Sequence, residues 1–175
     1  MKLTTWLRSI AMQVLLFGIA LAAIAKAKPS QDHLANQHFF CNTGYTLNVC
    51  HEQIATLKAV VAKFSSEALG EWTWVLVRSQ DWKQIAKTLG LNPNSPAFTC
   101  LETRTTFIEE ALVAKVPWRA SELIACWHMG MTDLLNVAVE HEMGHAFCHS
   151  WDEGKANHVA GILEQKRPLS CQSGL

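Results

Sequence analysis

Thr132-Asp133-Leu134-Leu135-Asn136-Val137-Ala138-Val139-Glu140-His141-Glu142-Met143-Gly144-His145-Ala146-Phe147-Cys148-His149 reads as a single helix, and the rest of the chain is arranged around it. Leu134, Leu135, Val137 and Ala138 repeat at helical spacing, and Thr132 or Asp133 supplies an N-terminal cap. Within it His141-Glu142-Met143-Gly144-His145 is an H-E-x-x-H. Four residues span about one turn, so both imidazoles leave the same face. Zinc needs neutral imidazoles at about 2 Å that converge from one side. His141 and His145 are therefore candidate ligands of Zn2+. Glu142 lies about 100° round from His141 and about 60° from His145. It is too far round to ligate, yet close enough to reach a water on the metal, which makes it the candidate general base.

A catalytic zinc usually takes a third protein ligand, and two glutamates compete for that place. Glu153 opens the next helical stretch, and Asn157 follows four residues later on the same face. There Asn157 can accept the ring N–H of a ligand histidine and fix its tautomer. Glu164 lies 19 residues after His145, about three turns along the same face. Glu153 is preferred, because Asn157 supports it while Pro168 blocks the same arrangement after Glu164. Cys148 lies about 20° from His141 and could ligate as a thiolate, although a disulfide suits an exported chain better. His149 reads as a rim residue and His158 as surface.

This pattern resembles the gluzincins, the thermolysin-like branch of the zincin metallopeptidases, over residues 141–163. The resemblance implies a zincin-like fold, with His141, His145 and Glu153 as zinc ligands, Glu142 as base and Asn157 as the residue orienting a histidine. It also implies hydrolysis of a peptide or protein substrate by a zinc-bound water activated by Glu142. The sequence departs from the family in two ways. The gap from His145 to Glu153 is shorter than in thermolysin, and Asn157 stands where an aspartate is usual. The metzincin pattern fails, since Cys148 and Trp151 occupy its Gly and His positions. A non-catalytic zinc-binding or interaction domain on the same scaffold is the alternative. A disulfide-stabilised structural protein without metal is a third reading.

Around this centre the order is helix, strands, helix, helix, an α+β layout. Residues 50–65 carry Ile54, Leu57, Val60, Val61 and Phe64 at helical spacing. Residues 71–79 (EWTWVLVRS) are a buried strand. A short helix over 81–89, capped near Ser79 or Asp81, stops at Gly90. Strands follow at 97–101 and 105–113, with a short helix at 120–128. Asp152 caps a last helix from Glu153 to about Lys166. Residues 28–40 are polar and read as a loose lead-in. The 105–113 strand is a candidate exposed edge for an extended peptide, where Glu109 and Glu110 would favour basic substrate residues. Tyr45 is a candidate to polarise a carbonyl. The tryptophans of the mature chain read as core and rim packing.

Residues 1–27 have the form of an export signal: Lys2 and Arg8, an apolar run from Ile10 to Ala25, then Ala25-Lys26-Ala27. That leaves one domain at 28–175, 148 residues, enough to bury a core. The whole chain holds 15 Lys+Arg and 15 Asp+Glu; without Lys2, Arg8 and Lys26 the remainder carries −3. A mildly acidic body without basic tracts argues against nucleic acid and anionic membrane as partners. The protein is thus expected to be exported, periplasmic or secreted. Six cysteines in the mature part suggest disulfides. Cys41–Cys50 is favoured by the turn at Asn42-Thr43-Gly44, with Cys100–Cys126 and Cys148–Cys171 as weaker pairings.

Overall fold

The computed structural model describes residues 32–34, 36–64 and 69–172; the signal-like segment 1–27 lies outside them. The chain is mixed α+β. Its elements are β1 (Asp32–Leu34), β2 (Gln37–Cys41), α1 (Leu47–Val61), β3 (Trp72–Val77), α2 (Ser79–Thr88), β4 (Ala97–Cys100) and β5 (Thr105–Glu109). After a 3-10 turn at Glu110–Leu112 come α3 (Pro117–Trp127), α4 (Met131–Cys148) and α5 (Glu153–Glu164).

The five strands lie in the order β1-β2-β3-β5-β4. β2, β3 and β5 run parallel, while β1 and β4 are antiparallel to their neighbours. β3 is central, which is why WTWVLV is apolar almost throughout rather than alternating. Trp72, Trp74 and Leu76 point to one face. They pack with Ile54 and Leu57 of α1 and with Leu134, Val139 and Met143 of α4. Val75 and Val77 point to the other face and pack with Trp82 of α2. α4 is thereby pressed against the sheet beside its β4 edge, and α5 covers α4.

Several expectations need correction. The segment 28–40 is not wholly a loose lead-in, because β1 and β2 fall inside it; alternating burial of Gln37, Phe39 and Cys41 is what holds β2 in the sheet. The strand expected over 105–113 ends at Glu109, and the chain winds into the 3-10 turn, bringing Ala111 N onto Ser79 Oγ at 3.1 Å. That strand is not an edge either: β5 is flanked by β3 and β4, and β4 is the edge. No side chain caps α2 or α4, whose N-caps are Arg78 and Gly130. Asp152 does cap α5, its Oδ1 accepting from Lys155 N at 3.0 Å.

Cys41–Cys50 and Cys148–Cys171 are disulfides, which points to an oxidising, exported setting. Cys100–Cys126 is not formed. Cys100 is buried at the end of β4 and donates to Glu102 Oε2 at 3.4 Å, whereas Cys126 faces solvent on α3. Among the described residues no helix is long and apolar enough to cross a membrane.

A buried ion pair ties α3 to the sheet. The Arg119 and Glu109 side chains are both 0 % exposed and meet at 2.7 Å. Burial pushes the Glu109 carboxyl up, against the pull of Arg119. Glu110 turns inward as well, its Oε2 accepting from Ser79 N at 3.1 Å. Glu109 is fully buried, half-buried Glu110 is engaged by Ser79 and Gln53, and neither lines the cleft, contrary to the expectation that they would favour basic substrate residues. Arg119→Leu leaves an unpaired buried carboxylate and is expected to cost about 3–5 kcal/mol, read from the denaturant midpoint. Replacing Glu109 with Leu as well should recover most of that loss.

Candidate metal centre

α4 ends at Cys148, with His149 as its C-cap in the left-handed region at φ 45°, and after the link Ser150–Asp152 α5 starts back along it. This return is possible because position 144 is glycine. A Cβ there would sit 2.5 Å from Ala156 O and 2.7 Å from Ala156 Cα. The two backbones meet where only hydrogen fits, and this carries Glu153 and Asn157 to the histidines.

His141, His145 and Glu153 each offer one ligand atom, and these atoms all lie within 4.8 Å of one another. His141 Nε2 is 3.1 Å from His145 Nε2 and 3.0 Å from Glu153 Oε2, while His145 Nε2 is 3.6 Å from Glu153 Oε1. The ring planes are turned 84° apart. Ligands at about 2.0–2.1 Å in tetrahedral array are about 3.3 Å from each other, so the spacing suits a shared cation.

The remaining ring nitrogens decide the protonation. His145 Nδ1 lies 2.8 Å from Ser150 O, a carbonyl that only accepts, so Nδ1 carries the hydrogen. His141 Nδ1 lies 2.9 Å from Asn157 Oδ1, again an acceptor. In the neutral rings both Nε2 atoms then present lone pairs to one another at 3.1 Å. Two facing lone pairs beside a carboxylate repel unless a positive charge lies between them. Residues 141, 145 and 153 can therefore hold a metal ion. Glu164 lies outside this group, exposed on the last turn of α5, and Cys148 is used by its disulfide.

Glu142 is turned the other way, towards the sheet, and is 5 % exposed with no hydrogen-bond partner for Oε2. Burial pushes its carboxyl up to about 8; a Thr99 hydrogen bond opposes this and the Glu153 charge adds to it. Thr99 is itself held in place, since its Oγ1 lies 2.8 Å from Thr106 Oγ1, which accepts from Trp72 Nε1 at 3.0 Å.

The cleft over these groups, about 520 Å³, is bounded by α4, α5, β4 and the segment before β4. Glu109 N donates to Pro96 O at 2.9 Å. By antiparallel alternation the N–H and C=O of Ala97 and Thr99 then point away from β5, but both residues are only 3 % exposed and Ala97 O accepts from Ser95 Oγ at 3.1 Å. The wall before β4 is built rather than loose. Arg119 Nη2 donates to Pro93 O at 2.6 Å, Trp127 Nε1 to Asn94 O at 2.9 Å and Trp82 Nε1 to Ser95 O at 2.8 Å. Tyr45 packs against the core away from this cleft, so it is not placed to act on a carbonyl. His149 is exposed at the end of α4 and His158 is half-buried on α5; neither lines the cleft. Arg119, Gly144 and Thr99 were not singled out from sequence. Only Gly144, inside the H-E-x-x-H, carried any local signal.

No protein-family model matches the chain, and neither a curated protein nor a solved structure is significantly similar to it.

Proposed function

We propose that the protein is an exported zinc-dependent peptidase of zincin-like architecture, related in its site to the gluzincins. The observation that carries this reading is the pair of Nε2 lone pairs facing each other at 3.1 Å beside Glu153, next to a buried carboxyl with an unpartnered oxygen. The two-nitrogen, one-oxygen donor set suits zinc. When bound, zinc supplies Lewis acidity and a water acidified towards pH 7. Glu142 takes the proton of the attacking water and returns it to the leaving amine. Ser150 O and Asn157 Oδ1 keep the imidazoles in the tautomer that leaves Nε2 free. The edge role moves from β5 to β4, which borders the cleft beside Glu142.

The protein purified without chelator is expected to hold one equivalent of zinc. His141→Ala and Glu153→Ala should each weaken retention by at least about 100-fold, as measured by metal analysis after dialysis. Zinc-loaded protein should cleave members of a broad peptide library, and a chelator should stop this until zinc is returned. One equivalent of zinc with no cleavage would favour the non-catalytic reading instead. That reading draws on one feature: among the described residues, no arginine, lysine or tyrosine lines the cleft to steady an oxyanion.

A further inference from the structure

Behind the cleft, on the sheet, side chains from three strands meet. Thr99 of β4 stands directly opposite Thr106 of β5 in the antiparallel ladder. Their hydroxyl oxygens lie 2.8 Å apart, and Trp72 Nε1 of β3 reaches Thr106 Oγ1 at 3.0 Å. Thr99 is 3 % exposed, Thr106 0 % and Trp72 2 %, so these groups depend on one another for their hydrogen bonds. Of the three, Thr99 borders the cleft, and Glu142 borders it too.

The direction of donation follows from the chemistry of each group. An indole N–H only donates, so it occupies a lone pair of Thr106 Oγ1. Thr106 still has its own hydrogen to place, and the acceptor at hand is Thr99 Oγ1. Thr99 therefore accepts from behind, and its hydrogen is left to donate outward. There it meets the Glu142 carboxyl, whose ionised form a Thr99 hydrogen bond favours. Donation runs one way, from Trp72 through Thr106 and Thr99 to Glu142, and successive members of such a chain polarise one another. A hydrogen-bonded threonine pair is by itself an ordinary cross-strand contact. This pair differs because its outer end meets the acid beside the histidines, and that acid keeps one oxygen without a partner.

We propose that Thr99 is the positioning residue for Glu142, the sheet anchoring one carboxyl oxygen through Trp72, Thr106 and Thr99 and leaving the other free to take a proton. The anchor is a property of the packed chain. Its consequence for catalysis rests on the peptidase reading.

The test uses isotope-labelled, zinc-loaded protein and a library peptide, with nuclear magnetic resonance read beside kcat and KM. Glu142→Met removes the acceptor with little change of volume, and should move the Trp72 indole N–H resonance upfield. In Thr99→Val protein the same substitution should leave that resonance where it is. Trp74, whose indole donates to Gln37 Oε1 at 2.8 Å, lies outside the chain of donors and should stay still throughout. Thr99→Val should lower kcat on the order of 10-fold with KM and bound zinc unchanged, and Thr99→Ser should keep the rate. Thr106→Val cuts the chain one step further back without touching the cleft. It should lower kcat in the same way, and it takes the place of Thr99→Val in the cycle if that variant does not fold. A Trp72 resonance that ignores Glu142→Met, or moves equally in Thr99→Val protein, overturns the inference. So does a kcat unchanged in both valine variants, and in either case continued cleavage leaves the hydrolysis reading standing. The expected resonance shifts in a protein that holds zinc but cleaves nothing uphold the anchor and remove the peptidase reading.

Discussion

Glu142→Gln is expected to lower peptide hydrolysis by about 10³-fold while zinc stays bound at one equivalent. Glutamine keeps the volume and the hydrogen-bonding oxygen but cannot take a proton, and positioned general acid–base groups are worth about 10²–10⁴-fold. The loss should fall on kcat, because the candidate ligands His141, His145 and Glu153 are untouched. Rates at saturating peptide, measured beside metal content, check this. Activity near that of the unsubstituted protein would remove Glu142 from the mechanism.

The same substitution has a second consequence in metal-free protein. The folded Glu142 carboxyl titrates at about 8, above its ordinary value of 4.5. Below pH 4.5 both folded and unfolded chains hold the proton, and burial costs nothing through ionisation. Between 4.5 and 8 only the unfolded chain releases it, so stability falls as pH rises, by on the order of 1.4 kcal/mol per pH unit. Glu142→Gln has no such group. Its stability advantage over the unsubstituted apoprotein should therefore grow from pH 5 to pH 8, as read from denaturation midpoints. A constant difference across that range would show that the carboxyl is not held protonated.

Gly144→Ala is expected to weaken metal binding by at least about 100-fold and to lower thermal stability, although no ligand changes. The new methyl would need the space of Ala156 O, 2.5 Å away, and of Ala156 Cα, 2.7 Å away. Overpacking of this kind typically costs about 1–3 kcal/mol. Here it acts on the contact that brings Glu153 and Asn157 to the histidines. Because the collision is with backbone, Ala156→Gly should not rescue it. Metal titration of the single and double variants checks both statements. Unchanged affinity in Gly144→Ala would mean that α5 is not held where the structure places it.

The local parts of this site were legible in the sequence, because they depend on short-range geometry. Helical spacing alone put His141 and His145 on one face, the four-residue interval from Glu153 to Asn157 paired ligand with support, and the turn between Cys41 and Cys50 indicated their disulfide. The caps were misjudged where backbone alone closes the helix start, as at Gly130. The edge strand was misassigned because β4 and β5 are similar short runs, and strand order depends on non-local pairing.

Sequence by itself determined the two imidazoles and the acid between them, for that arrangement is a property of one turn of helix. Tertiary structure brought Glu153, the glutamate the sequence preferred, to the histidines and decided which strand borders the cleft. It also decided that Glu142 is buried with raised proton affinity and that Arg119 braces the wall before β4. Each of these rests on two distant segments meeting, as Gly144 meets Ala156, and a meeting of that kind depends on how the whole core packs.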